Sequence, residues 1–351
     1  MPLATLGFLA VLATALAGAA RPAFDLHRIP TPRGCQAYAG WHGLSDEGFA
    51  TLVLSCEQAP HSRAVLWTGA SLPLGSLGGS SVTPYGVARG GIVLGASGDG
   101  SETSPVIWDD GVPRDLGTLG GPHGGALAAN ARGTIVGGCQ AGEVEPSLHR
   151  RPIRACVWTD SGVRDLGDLG GAEASAYDIN GRGWVVGSSL TPLPHDGWFE
   201  EHAFLVAAKP MRDLGTLGGP QSYAWALNER GDVVGMSYTT PSRTGELTFH
   251  AFLWRRNVLQ DLGTLGGTMS EAIDVNDDGA IVGWSQLAKG DGVTSEHAVL
   301  WREGVPLDLN DLVDDAKGCV LMRALAINGG GSILADARCP DGDQVVVLKP
   351  Q

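Results

Sequence analysis

An all-β chain folded as a seven-bladed β-propeller of four-stranded antiparallel blades is what this 351-residue sequence predicts, on three observations. An element reading apolar, Asn, two variable residues, Gly is written seven times: Leu44–Gly48, Val87–Gly91, Ala129–Gly133, Ile179–Gly183, Leu227–Gly231, Val275–Gly279 and Ile327–Gly331. Its copies lie about 42 to 52 residues apart, the period of propellers and solenoids. The 53 glycines, 18% charged and 43% apolar residues suit many short strands joined by tight turns, and long helical periodicity is absent.

Each module resolves into four strands, and the fifth copy shows how. Ser222 to Asn228 is a first strand, Glu229 to Gly231 a tight turn, and Asp232 to Ser237 a second strand. Asn opening the turn and Gly closing it fit a type I turn ended by a left-handed residue. The aromatic and apolar run His250 to Trp254 is a third strand, and Leu259 to Gly263 a short fourth, with Thr264 to Gly267 leading onward. The third-strand element recurs at Ala64–Trp67, Pro105–Trp108, Ala155–Trp158, Ala203–Val206, Ala298–Trp301 and Val345–Leu348. The fourth recurs at Leu74–Gly79, Asp115–Gly121, Asp165–Gly171 and Asp213–Gly219, with a degraded copy at Asp308–Leu312.

The seventh module ends at Gln351 without a fourth strand, while Phe24-Asp25-Leu26-His27 near the N-terminus echoes the missing element. This N-terminal strand is expected to complete the last blade and close the ring, since an unpaired sheet edge invites aggregation. The blades then span about 35–79, 80–121, 122–171, 172–219, 220–267, 268–315 and 316–351, the last with strand 24–29, in a single domain over 21–351.

Residues 1–20 read as a signal peptide: Leu3 to Leu16 is apolar and small residues from Ala17 to Ala20 follow. No Lys or Arg precedes the run, which keeps a retained anchor and a different start as alternatives. A secreted or cell-envelope protein is expected, with no membrane span in the mature chain. The formal charge of −14 opposes nucleic-acid binding, because phosphate contact needs a basic surface. Six cysteines allow fifteen pairings, and their places in the repeat favour three local ones: Cys35 with Cys56, Cys139 with Cys156, and Cys319 with Cys339.

The runs His202-Ala203-Phe204-Leu205 and His250-Ala251-Phe252-Leu253-Trp254, each followed by Asp-Leu-Gly-Thr-Leu-Gly-Gly and an Asn-x-x-Gly hairpin, resemble the extracellular HAF-repeat family of secreted bacterial proteins. The resemblance covers most of the mature chain; copies one, two and seven depart most, with Ser45 and Ala88 in place of Asn. It implies an exported, propeller-like protein of unassigned biochemical role and carries no catalytic residues with it.

Residues repeated in most blades read as structural, because one active site must break the symmetry. That places His202, His250, His297 and the third-strand tryptophans in the scaffold. Asp274, Asn276 and Asp278 match the opening of a calcium loop, yet Ser285 stands where an EF-hand places Glu, so an acidic hairpin turn is the favoured reading and calcium the alternative. Nucleophile-elbow, zinc-protease and phosphate-loop motifs are missing.

Function is expected where blades differ, in the long strand-two-to-three loops of blades three to six. Blade three offers Glu143, Glu145, His149, Arg150, Arg151 and Arg154; blade four His195, Asp196, Trp198, Phe199, Glu200 and Glu201; blade five Arg243 and Glu246. The Trp198-Phe199 pair beside charged residues suits a contact surface for an extracellular protein or glycan. A binding or scaffold module is the leading expectation, with an exported hydrolase or lyase and a calcium-stabilised adhesion module as alternatives.

Overall fold

A computed structural model describes residues 24–57, 62–195, 198–208, 210–241, 248–288 and 296–351. Among them the secondary structure is strand apart from two three-residue 3-10 turns, at Arg89–Gly91 and Leu309–Asp311. No helix is long and apolar enough to cross a membrane. Segment 1–20 lies outside the described residues.

Antiparallel pairing sorts the chain into consecutive modules of four, and single parallel bridges, Thr103 to His123 and Glu201 to Gln221, join modules 2 and 3 and modules 4 and 5 into eight-stranded sheets. Module 1 runs Cys35–Leu44, Ala50–Cys56, Arg63–Trp67, Ser71–Pro73, and module 2 Ser81–Val87, Val93–Gly98, Thr103–Asp109, Val112–Asp115. Module 3 is Gly120–Ala129, Ile135–Ala141, Ile153–Thr159, Gly162–Asp165, and module 4 Ala174–Ile179, Val185–His195, Trp198–Val206, Arg212–Gly215. Module 5 is Gly218–Leu227, Val233–Thr239, Phe249–Arg255, Val258–Asp261, and module 6 Gly266–Val275, Ile281–Leu287, Glu296–Arg302, Val305–Asp308. Module 7 has Val320–Ile327, Ile333–Cys339 and Gly342–Pro350 of its own.

Its fourth strand is Phe24–Arg28, which pairs antiparallel with Gly342–Pro350 in the register Phe24 to Pro350, Leu26 to Leu348 and Arg28 to Val346. Phe24 and Leu26 are buried in the core of modules 6 and 7, and the Phe24 amide donates to the Leu312 carbonyl. Arg28 pairs with Asp341 at 2.8 Å. The degraded element after Asp308 folds as a 3-10 turn, because the Asp308 carboxylate accepts the Asn310 amide and caps it.

The recurring residues hold modules to themselves and to each other. Asn228 opens the module 5 hairpin, where its Oδ1 accepts the Arg230 and Asp232 amides. Gly231 closes it at φ 84°, a conformation that needs glycine. The Asn228 Nδ2 then reaches into the next module and donates to the Asn276 carbonyl. The same link runs from Asn130 to Asn180, Asn180 to Asn228, Asn276 to Asn328, and Asn328 to Ser45, at 3.1 to 3.4 Å.

Other repeated residues do comparable work. Ser189, Ser237 and Ser285 accept the amides of Leu169, Leu217 and Leu265, fixing each Gly-rich linker against the following second strand. Third-strand tryptophans are core, and Trp108, Trp158 and Trp301 donate their indole N–H to Gly75, Gly117 and Leu262 of the preceding module. Three disulfides join Cys35 to Cys56, Cys139 to Cys156 and Cys319 to Cys339. Each ties the second strand of a module to its neighbour within the same module, and Cys139 stands where other modules carry the linker-binding serine.

The asparagine links generate a graded prediction. Asn228 is 4% exposed and makes four hydrogen bonds, so Asn228→Ala is expected to lower unfolding free energy by about 2 to 4 kcal/mol in a denaturant titration. Asn130→Ala, at a half-buried turn, should cost clearly less; equal losses would contradict burial as the source of the effect.

Candidate functional site

The first strands carry the groups that face the centre, and module 1 breaks the pattern there. Ala39 pairs with Leu52 and Leu44 with Ala50, so the four residues Gly40-Trp41-His42-Gly43 are opposed by Thr51 alone. This wide bulge pushes Trp41 and His42 out of the ladder, with His42 at φ 53°. Both flanking glycines are required: a Cβ on Gly40 would sit 2.9 Å from the Tyr85 carbonyl oxygen, and one on Gly43 2.7 Å from that of Gly40.

Trp41 reaches module 5, where its ring meets Trp225 edge-on at 4.9 Å. Trp225 also touches Tyr177 at 4.8 Å and stacks on Tyr223 at 5.4 Å. Trp41 stays 47% exposed and Tyr38 50%, whereas Trp225 is 8% exposed, so the cluster has a buried base and an open rim. Behind it Glu201 accepts hydrogen bonds from Ser188 at 2.6 Å and Tyr223 at 3.0 Å, and Tyr177 bonds Ser188 at 2.8 Å. Burial pushes the Tyr177 phenol up to about 12 and the Tyr223 phenol up as well, the latter helped by the Glu201 charge.

Glu271 of module 6 accepts the Trp284 indole N–H at 2.7 Å, and burial holds its carboxyl above the ordinary range. Arg323 of module 7 lies over Trp284 at 5.1 Å and binds Glu296 through Nε and Nη2 at 2.9 and 2.6 Å. Asp336, beside Arg323 in the ladder, is raised to about 6 by burial, with Arg323 opposing and Asp343 adding to the shift.

Beyond the aromatic cluster, a cavity of about 150 Å³ is lined by His42, Leu44, Val87, Leu127, Asp178 and Asp274 among others. Asp178 accepts the amides of Ile179 and, across to module 5, Leu227; Asp274 accepts those of Val275 and, across to module 7, Ile327. Burial raises both carboxyls, with His42 and the amides pulling the other way. Next to this cavity, Ala88 stands in place of Asn, and a cleft of about 870 Å³ opens among the hairpin turns of modules 1 to 6, with Asp46, Arg89, Asn130, Gly181, Glu229 and Asp277 in its lining.

The described loop residues that sequence reasoning singled out fall at a module 3 turn and in the module 4 hairpin. Arg150 is spent on Glu173 and ties modules 3 and 4 together, whereas Arg154 binds Asp168 at 2.7 Å and Asp165 at 3.7 Å and braces the end of module 3 itself. His149 and Arg151 are exposed nearby, in a turn closed by the Glu145 and Arg150 backbones. The expected long loop of blade four is instead a hairpin extension, with Pro194 opposite Phe199 and His195 opposite Trp198. Asp196 lies outside the described residues, and for His195, Trp198 and Phe199 the description stops at the backbone. Glu200 lies 3.8 Å from His202. Arg243 and Glu246 lie outside the described residues.

The histidines that open the third strands each bond the Asp of their own fourth strand: His202 to Asp213 at 2.9 Å, His250 to Asp261 at 2.8 Å, His297 to Asp308 at 2.6 Å. The bond to Asp213 raises the His202 imidazole against the opposing effect of burial. Of the residues matching a calcium loop, Asp274 accepts the amides of Val275 and Ile327, and Asn276 accepts that of Ala280 at Oδ1 while its Nδ2 donates to Asn328. Among the described residues no three His, Cys, Asp or Glu side chains gather as a metal cluster.

Sequence reasoning passed over the module 1 bulge, Tyr177, Trp225 and Asp178. A partial signal was present: Gly40 and Gly43 bracket Trp41-His42 just before the module 1 turn.

No protein-family model and no curated protein matches the chain. Among solved structures, a putative TolB from Agrobacterium tumefaciens is similar at a TM-score of 0.44 and 12% identity, over 69% of this chain and 88% of that one. A likeness of that degree transfers neither fold nor function.

Asp336 supplies a pH test. Its folded-state pKa lies above the unfolded value, so the native state binds the extra proton between about pH 4 and 6 and stability falls as pH rises through that window. Asp336→Asn should therefore stabilise the protein at pH 7.5, by on the order of 2 kcal/mol, and leave it nearly unchanged at pH 4. Destabilisation at pH 7.5 would show that the carboxylate is held by a favourable partner.

Proposed function

We propose that the protein is an exported seven-bladed β-propeller of the HAF-repeat kind, acting as a binding or scaffold module in the cell envelope or outside the cell. Its blades are the seven four-stranded modules; Phe24–Arg28 closes the ring, and the asparagine links bridge module 7 to module 1. Three disulfides support an oxidising compartment. The ligand is a protein or glycan, met on the face where second strands turn into third strands.

The observation that carries this reading is Trp41, held half-exposed across the ring axis by a bulge of four residues against one, where the other first strands bulge by a single residue before the turn. An aromatic ring anchored at its base and open at its rim is the usual form of a binding hot spot. The exposed His149 and Arg151 of module 3 flank the same face, as does the module 4 hairpin that bears Trp198 and Phe199.

A hydrolase or lyase would draw on Asp178, Asp274 and His42, which line one small cavity. Each of those carboxylates already accepts two backbone amides and bridges neighbouring modules, a structural employment that favours binding over catalysis. Purified protein screened against defined glycans and fractionated envelope proteins should lose roughly thirty-fold in affinity on Trp41→Ala, the cost of about 2 kcal/mol for a central anchor. Undiminished binding by that variant would move the site elsewhere.

A further inference from the structure

The aromatic cluster is backed by carboxylates that make no ion pair among the described residues. Glu201 is satisfied by two hydroxyls and Glu271 by an indole N–H. Arg323 is engaged with Glu296 and Trp284, while Asp178 and Asp274 share their cavity with His42. Neutral donors orient a carboxylate without cancelling its charge, and low-dielectric walls focus the resulting field toward the opening.

The same opening presents bare aromatic surface. Elsewhere the chain covers indole faces with its own arginines: Arg182 over Trp184 at 5.3 Å, Arg212 over Trp254 at 5.2 Å and Arg323 over Trp284 at 5.1 Å. Trp41 has no such partner among the described residues, although it is the most exposed tryptophan there and stands above the acidic axis. Glu201 lies two side chains away from it, through the stacked Trp225 and Tyr223.

Resting on the binding-module reading above, we infer that the axial mouth takes a lysine or arginine side chain from a flexible segment of a partner protein. The cationic head sits against Trp41 and faces Glu201 and Glu271, while its methylene stem lies along the aromatic rim. Charge complementarity and the uncovered indole select this occupant over an apolar or acidic one.

The test uses purified protein and a blocked Gly/Ser heptapeptide with one central lysine, arginine or norleucine, followed by tryptophan emission and calorimetry. Lysine and arginine peptides should bind at least about tenfold more tightly than the norleucine peptide, with the preference weakening as salt rises. The preference should vanish in Trp41→Leu and shrink in Glu201→Gln, which accepts one hydroxyl at Oε1 and donates to the other from Nε2, and whose melting is followed alongside. Arg89→Ala, on the opposite face, should leave it intact. Equal binding of all three peptides, or none, overturns the proposal; butylamine binding as tightly as the lysine peptide would assign the site to free amines and overturn the peptide occupant. If Trp41→Ala still abolishes binding of a glycan or envelope protein while the lysine preference is absent, this inference fails and the binding-module reading survives it.

Discussion

Side-chain amides that cross from one hairpin to the next set the geometry on which the rest depends. Each Asn Nδ2 spans the gap between modules and ends on the backbone carbonyl at the equivalent position of the next, so the turns from module 3 round to module 1 are positioned by their neighbours. Hydrophobic burial alone would press modules together without fixing their rotation, because it is non-directional. A buried hydrogen bond of fixed length does fix it, and leaving either end unmade costs more than the bond contributes. With the hairpins aligned, the first strands stand side by side and their inward residues meet at one centre.

That regularity also explains where function can sit. A tie repeated from module to module offers nothing to a single ligand, and the His–Asp pairs, linker serines and third-strand indoles all belong to this class. Departures fall in two places. The links stop at Ser45 and Ala88, where a cleft opens on the turn side. Module 1 also departs by its bulge, which brings Trp41 and His42 into contact with residues from modules far along the chain. The acidic groups at the centre are tolerated because backbone amides and hydroxyls satisfy them, and their unspent charge is what a cationic partner would use.

Much of the architecture was legible in the sequence because it is written in short-range chemistry. Asn and Gly at a four-residue spacing specify a hairpin, His-Ala-Phe-Leu-Trp specifies a buried strand, and the N-terminal echo of the fourth strand located the partner of Val345–Leu348. The local cysteine pairs followed from the same register. The centre was not legible in that way. Trp41 meets Trp225, and Asp178 shares a cavity with Asp274, only after several modules have turned around the axis, so no local spacing announces either contact. Arg150 and Arg154 misled for the converse reason: in a loop they read as free charges, and only the fold brings Glu173 and Asp168 to them.

Amide hydrogen exchange read by mass spectrometry tests the closed architecture most directly, because the joining strand is short and lies at one end of the chain. Phe24–Arg28 should exchange as slowly as the Gly342–Pro350 strand it pairs with, and the two should become exposed together as denaturant is added. Rapid exchange across Phe24–Arg28 while Gly342–Pro350 and the other modules stay protected would contradict the account, for it would mean that the two chain ends do not hold the molecule shut.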